Sequence, residues 1–124
     1  MRILLVDDSR ADRFRIRKLL EKLDDSDVEE ACDGTEAVTK ASGLPHLVLM
    51  DTYMPGMKGY EACAQIRSKP YGKFMAIIGM SSMPRAKEWK AAGADDFIDK
   101  TNLLEGDGAE FEGRIMAAVG KYKK

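Results

Sequence analysis

A run of four apolar residues, Leu47-Val48-Leu49-Met50, stops on a single carboxylate, Asp51, and Pro55-Gly56 then turns the chain away. A continuous apolar run between turn residues reads as a strand buried on both faces, because a half-buried strand would alternate. Such strands belong to parallel sheets covered by helices on either side. Those sheets present their ligand crevice at the carboxyl ends of the strands. The stretch from His46 to Gly59 therefore points to an open α/β fold and puts Asp51 where that fold does its chemistry.

The rest of the chain alternates in the same sense. Ile3 to Val6 reads as a first strand, closed by Asp7-Asp8-Ser9. From about Ala11 to Leu23 the apolar period becomes helical, with Ile16, Leu19, Leu20 and Leu23 at i, i+3, i+4 and i+7. Val28 to Ala31 is a second strand. Asp33-Gly34-Thr35 opens a short helix that Gly43 and Pro45 stop. After the strand ending at Asp51, a third helix runs from Gly59 to about Ser68, and Pro70-Tyr71-Gly72 is a loop. Phe74 to Met80 is predicted as a fourth strand and Pro84 to Ala92 as a short helix, with Pro84 in its first turn. Asp95 to Asp99 is the fifth strand. A loop containing Gly106 and Gly108 then leads to a last helix striped by Phe111, Ile115, Ala118, Val119 and Tyr122. Strands alternating with short helices imply right-handed crossovers and one parallel sheet with helices on both faces.

At 124 residues the chain is expected to be a single domain spanning 1–124, with nothing left over for an effector domain. A formal net charge of −1 provides no positive field for nucleic acid. The apolar runs are far too short to span a bilayer, and the N-terminus does not read as a signal peptide, so the expected location is the cytoplasm. Cys32 and Cys63 lack CxxC spacing and read as free thiols.

The polar residues of interest all fall at predicted strand ends on one edge: Asp7 and Asp8 after strand one, Asp51 after three, Ser81 after four, Lys100 after five. Three carboxylates in one crevice raise one another's pKa values, and a hard divalent cation relieves that repulsion. Mg²⁺ suits few carboxylates plus waters and phosphate oxygens, with Mn²⁺ as the alternative. Lys100 offers a point charge and Ser81 a hydroxyl for phosphate oxygens. The chemistry that fits is phosphoryl transfer to Asp51 acting as a nucleophile, in which positioning and charge neutralisation matter more than acid–base help.

Taken together, Asp7-Asp8, Asp51 with Met54-Pro55-Gly56-Met57-Lys58-Gly59, Ser81, and Gly93-Ala94-Asp95-Asp96-Phe97-Ile98-Asp99-Lys100 resemble the receiver domain of two-component response regulators, over the whole chain. The resemblance implies a flavodoxin-like, doubly wound five-stranded parallel sheet of order 2-1-3-4-5. It implies that Asp51 is the phosphoacceptor. Asp8 is the direct metal ligand, Asp7 the acid acting mainly through water, and the backbone carbonyl of Tyr53 a further ligand. Ser81 and Phe97 match the hydroxyl and aromatic switch positions, and Lys100 the lysine that contacts the phosphoryl group. The implied donor is a histidine kinase or histidine-phosphotransfer protein. The implied output face is helix four, strand five and helix five, acting on a downstream protein rather than on nucleic acid or membrane. Such a protein is a self-phosphorylating acceptor and not an enzyme in the ordinary sense.

The pattern also departs from the family. Thr101 follows Lys100 where the family usually has proline, so a trans Lys100–Thr101 bond is expected. The segment from Ser81 to Lys100 is short by roughly one helical turn, about three to four residues. Tyr53 and Met83 are bulky at positions that flank the phosphoryl group in the family, which predicts slow autodephosphorylation. Trp89 is either a contact on the output face or a cover for the sheet. Arg10, Arg13 and Arg17 form a basic stripe on helix one, read as a solvated face or as a dock for an acidic partner. Lys121, Lys123 and Lys124 complement the dipole of the last helix. Other readings fit less well. A dehalogenase-type hydrolase needs an acid where Tyr53 stands, and Asp7-Asp8 would repel a flavin phosphate. The alternative that retains most is a receiver-like interaction module that works without phosphorylation.

Overall fold

In the computed structural model, residues 1–106 and 108–123 are described; Lys124, assigned above to the dipole of the last helix, lies outside them. Five strands form one all-parallel sheet in the order β2-β1-β3-β4-β5. They are β1 (Arg2–Val6), β2 (Asp27–Ala31), β3 (Leu47–Asp51), β4 (Ala76–Ser81) and β5 (Asp96–Asp99). Between and after them come α1 (Arg10–Leu20), α2 (Gly34–Ala41), α3 (Gly59–Ser68), a 3-10 turn (Pro70–Lys73), α4 (Ala86–Ala91), α5 (Lys100–Glu105) and α6 (Ala109–Gly120). The predicted fold class and strand order are those observed.

The sheet's two faces build two cores from alternate residues of the same strands, as the period of two requires. Ile3, Leu5, Leu47, Leu49, Ile78, Met80 and Ile98 pack under Ile16 and Leu20 of α1, Leu103 of α5, and Phe111, Ile115 and Val119 of α6. Leu4, Val6, Val48, Met50 and Ile77 pack under Ala37 and Ala41 of α2, Ala62, Cys63 and Ile66 of α3, and Trp89 of α4. Every residue of β3 and β4 is buried, which explains their unbroken apolar sequence.

Several boundaries differ from the expectation, each for a local reason. β4 begins at Ala76, because the 3-10 turn carries Phe74 out into solvent, where it is 75% exposed. Pro84 is not in the first turn of a helix. Met83 N–H instead closes a turn onto Ser81 Oγ (3.0 Å), and α4 starts only at Ala86. α1 stops at Leu20, although Leu23 remains buried through a turn in which its N–H donates to the Leu20 carbonyl. The stretch after β5 is not simply a loop. The Asp99 carboxylate accepts from the N–H groups of Thr101 (2.9 Å) and Asn102 (3.4 Å), capping α5, and Leu103 anchors that helix in the core. The helix the family counts as its fifth is therefore α6 here. No cis peptide occurs among the described residues, so the Lys100–Thr101 bond is trans as expected.

Trp89 covers the sheet and is not an exposed contact: it is fully buried on a helix of only six residues. Its ring lies where side chains of the sheet would normally stand. A Cβ at Gly79, in the middle of β4, would come within 2.1 Å of the indole, and one at Gly59 within 2.8 Å. The two glycines thus form the slot that the indole fills. Among the described residues no helix is long and apolar enough to cross a membrane.

Candidate phosphoryl-acceptor site

Parallel strands in register bring their carboxyl ends together. Val6 pairs with Met50, Asp51 with Met80 and Ser81 with Asp99, so the residues that end these strands share one edge. Asp7 directly follows β1 and Asp51 is the last residue of β3; both are buried, while Asp8 is exposed. One carboxylate oxygen from each of Asp7, Asp8 and Asp51 lies within 4.8 Å of the others. Asp7 Oδ1 accepts the Ser9 N–H (2.9 Å), whereas its buried Oδ2 has no directional hydrogen bond. Lys100 Nζ is 2.6 Å from that oxygen, an ion contact poorly aligned for a hydrogen bond. A fully buried carboxylate oxygen left in this way, beside two more hard oxygen donors, suits a small divalent cation.

The electrostatics follow from crowding. Burial, and then the neighbouring charge of Asp7, push the Asp51 carboxyl up to about 6 against the pull of Lys100. Burial likewise raises Asp7, with Lys100 and the Ser9 N–H opposing. Burial alone would depress the Lys100 ammonium, but the close contacts with the carboxylates of Asp12 and Asp7 outweigh it and raise the pKa above the usual lysine range. The site thus holds excess negative charge around one ammonium, the state that a metal ion and a dianionic group together would balance.

Lys100 Nζ stands 3.4 Å from Asp51 Oδ1. It reaches the site as the first residue of α5, immediately after the Asp99 cap. Asp12 Oδ2, on α1, lies 2.8 Å from the same Nζ, a partner that motif spacing did not reveal. The available signal was an acid in the first turn of α1, a position that usually concerns only the helix dipole.

Not every predicted site residue is drawn together. Ser81 is buried, and its Oγ accepts from Met83 N–H rather than reaching Asp51. Phe97 is half-buried against the core face that holds Trp89. Tyr53 and Met83 are exposed beyond Asp51. The Tyr53 ring lies between the Lys58 ammonium (5.9 Å) and the Arg85 guanidinium (5.6 Å), and Arg85 Nε donates to its hydroxyl. Arg13 and Arg17 are not a free basic stripe. Both pair with Glu30 of β2, and Arg13 Nη1 also donates to the Asp7 carbonyl (2.6 Å), which leaves Arg10 as the exposed member.

Thr52 was also invisible to motif reading. Fully buried next to Asp51, it donates its hydroxyl to the Met80 carbonyl (2.9 Å) and accepts the Trp89 indole N–H (2.8 Å). The clue was Trp89 itself, since a buried indole N–H needs an acceptor.

Comparisons with known proteins agree with this geometry. The sequence profile of the response regulator receiver domain matches residues 3–105. The chain is 39% identical over 127 aligned positions to the response regulator MprA of Mycobacterium avium, covering 99% of this chain and 53% of that protein. It is 37% identical to MprA of Mycobacterium leprae, with the same coverage. It thus spans about half the length of these relatives. Among solved structures, the response regulator domain of Thermotoga maritima CheB superposes with a TM-score of 0.85 at 31% identity, covering 97% of this chain and 96% of that one. The receiver domain of a sensor histidine kinase from Pseudomonas aeruginosa, solved with a magnesium ion coordinated in the active site cleft, gives 0.83 at 27% identity, covering 96% and 97%. With its sheet order, its cluster of three acids and a profile match over most of its length, the chain belongs to the receiver-domain family of two-component response regulators.

Proposed function

We infer that this receiver accepts a phosphoryl group on Asp51 from a phospho-histidine donor, a histidine kinase or a histidine-phosphotransfer protein. The observation that carries the reading is the placement of the Asp51 carboxylate, buried at the end of β3 with two further acids beside it and an ammonium 3.4 Å away. The acceptor attacks through one carboxylate oxygen; the phosphorus–nitrogen bond to the donor breaks, and the imidazole leaves with that electron pair. Asp8 and Asp51, the Tyr53 carbonyl and, through water, Asp7 would hold Mg²⁺ or Mn²⁺. The bound metal supplies charge neutralisation for the transferring oxygens. Lys100 neutralises another of those oxygens, and Ser81 donates its hydroxyl to a third once it leaves the Met83 turn.

Phosphorylation shifts a two-state equilibrium in which Ser81 and Phe97 move together. It is read on the face made by α4, β5 and α6, where Ala86, Lys90, Phe97 and Lys121 line a groove above the buried Trp89. Tyr53 and Met83 restrict water at the mouth, so the acyl phosphate is long-lived. The chain works in the cytoplasm as a phosphorelay receiver acting on a protein partner, and its chemistry on itself is limited to self-phosphorylation and slow autodephosphorylation.

The test is incubation with Mg²⁺ and acetyl phosphate or phosphoramidate, followed by intact mass measurement. The expected result is the gain of one phosphoryl group, absent from Asp51→Asn, with a half-life well beyond seconds. No gain from any donor would overturn the reading in favour of an interaction module that needs no phosphorylation.

A further inference from the structure

Asp12 belongs to neither the metal-binding trio nor the strand ends, yet its carboxylate is 2.8 Å from the one lysine of the site. It is the third residue of α1, whose N-cap is Ser9. An acid there commonly folds back to accept the N-cap backbone N–H. In this chain that N–H is already taken by Asp7 Oδ1, so the Asp12 carboxylate is free to reach Lys100. The Lys100 backbone is fixed as the first residue of α5 by the Asp99 cap, so the lean of the ammonium is set by the acids that pull it. The two acids at the β1–α1 end hold it at 2.6 and 2.8 Å, against 3.4 Å for Asp51.

We propose that Asp12 is a positioning residue: a latch on α1 that holds Lys100 back from Asp51 and competes with a phosphoryl group for its ammonium. This rests on Asp51 being the phosphoryl acceptor. The resting chain keeps its lysine parked on the α1 side, and a group on Asp51 must win it from Asp12. When Asp7 turns to serve a metal, Asp12 remains as the competing anchor. The strength of that pair, partly exposed on the Asp12 side at 29%, sets how readily the phosphorylated state forms.

The experiment is titration of the whole chain with beryllofluoride, a phosphoryl mimic, in saturating Mg²⁺, followed by ¹⁹F NMR of the bound fluorides. Four proteins are compared: wild type, Asp12→Asn, Lys100→Met and the double variant. Removing a partly exposed ion pair should tighten binding in Asp12→Asn by roughly fivefold. Asp12→Glu, which keeps the charge within reach of Lys100, should stay close to wild type. The gain should vanish in the Lys100→Met background, because Asp12 acts through that lysine. Unchanged or weaker binding in Asp12→Asn, or the same gain without Lys100, overturns the latch while leaving the acceptor reading intact. A wild-type chain that takes up no beryllofluoride overturns both.

Discussion

The edge that carries Asp7, Asp51 and Lys100 and the segment from Ser82 to Gly106 meet at one end of the sheet but are built on opposite terms. At the first, burial, and after it like charge, raise Asp7 and Asp51 toward protonation, and one ammonium is divided among three acids. At the second, a shortened α4 is fixed by a buried tryptophan in a slot of two glycines, and the chain after β5 is gathered into a small capped helix. The acidic edge keeps charge at a cost in stability; the second region supplies packing. The proposed phosphoryl transfer draws on the former, whereas the latter holds α4 against the sheet.

The most damaging way to break this contrast is Trp89→Ala. Removing a fully buried indole should cost about 3–5 kcal/mol, read as a shift of the urea midpoint with little change in slope. A loss below about 1 kcal/mol would show that α4 is not held by this side chain.

Next, and opposite in sign, Asp51→Asn should stabilise the metal-free chain. The folded pKa of Asp51, about 6, lies above its ordinary 3.8. The fold therefore favours the protonated acid, and that advantage is lost as pH rises from about 4 through about 6. At pH 8 the substitution should add about 2–3 kcal/mol, and below about pH 4 nothing. Thermal melts across that range check both limits; a pH-independent gain would assign the effect to packing rather than charge.

Third, Gly79→Ala should cost about 1–3 kcal/mol, because the new methyl meets the indole, and a smaller residue at 89 should recover part of the loss. The smallest effect belongs to Asp99→Ala. Losing the cap should cost about 1 kcal/mol and appear as faster amide exchange over 101–105, with the sheet unchanged.

The same division explains what could be read from the sequence. The five strands were legible because β3 and β4 are buried throughout and their ends fall on turn residues. Asp7, Asp8, Asp51, Ser81 and Lys100 were legible because a parallel sheet leaves little choice about where strand ends go. What lay beyond reading depends on tertiary partners. α5 has six residues, too few to show a helical period, and announces itself only through the Asp99 cap. The Asp12–Lys100 and Thr52–Trp89 contacts join residues far apart in sequence through side chains whose direction no periodicity fixes. Arg13 and Arg17 looked like a solvated stripe because their partner, Glu30, sits not on α1 but on β2.

The hydrogen bond from Trp89 to Thr52 has an optical consequence. Trp89 is the only tryptophan in the chain, so its emission comes from one place, shielded from solvent and one bond away from the residue that follows Asp51. A rearrangement of β3's carboxyl end that tugs on Thr52 alters the environment of the fluorophore directly. The unlabelled protein therefore contains its own spectroscopic probe, placed on the link between β3 and α4.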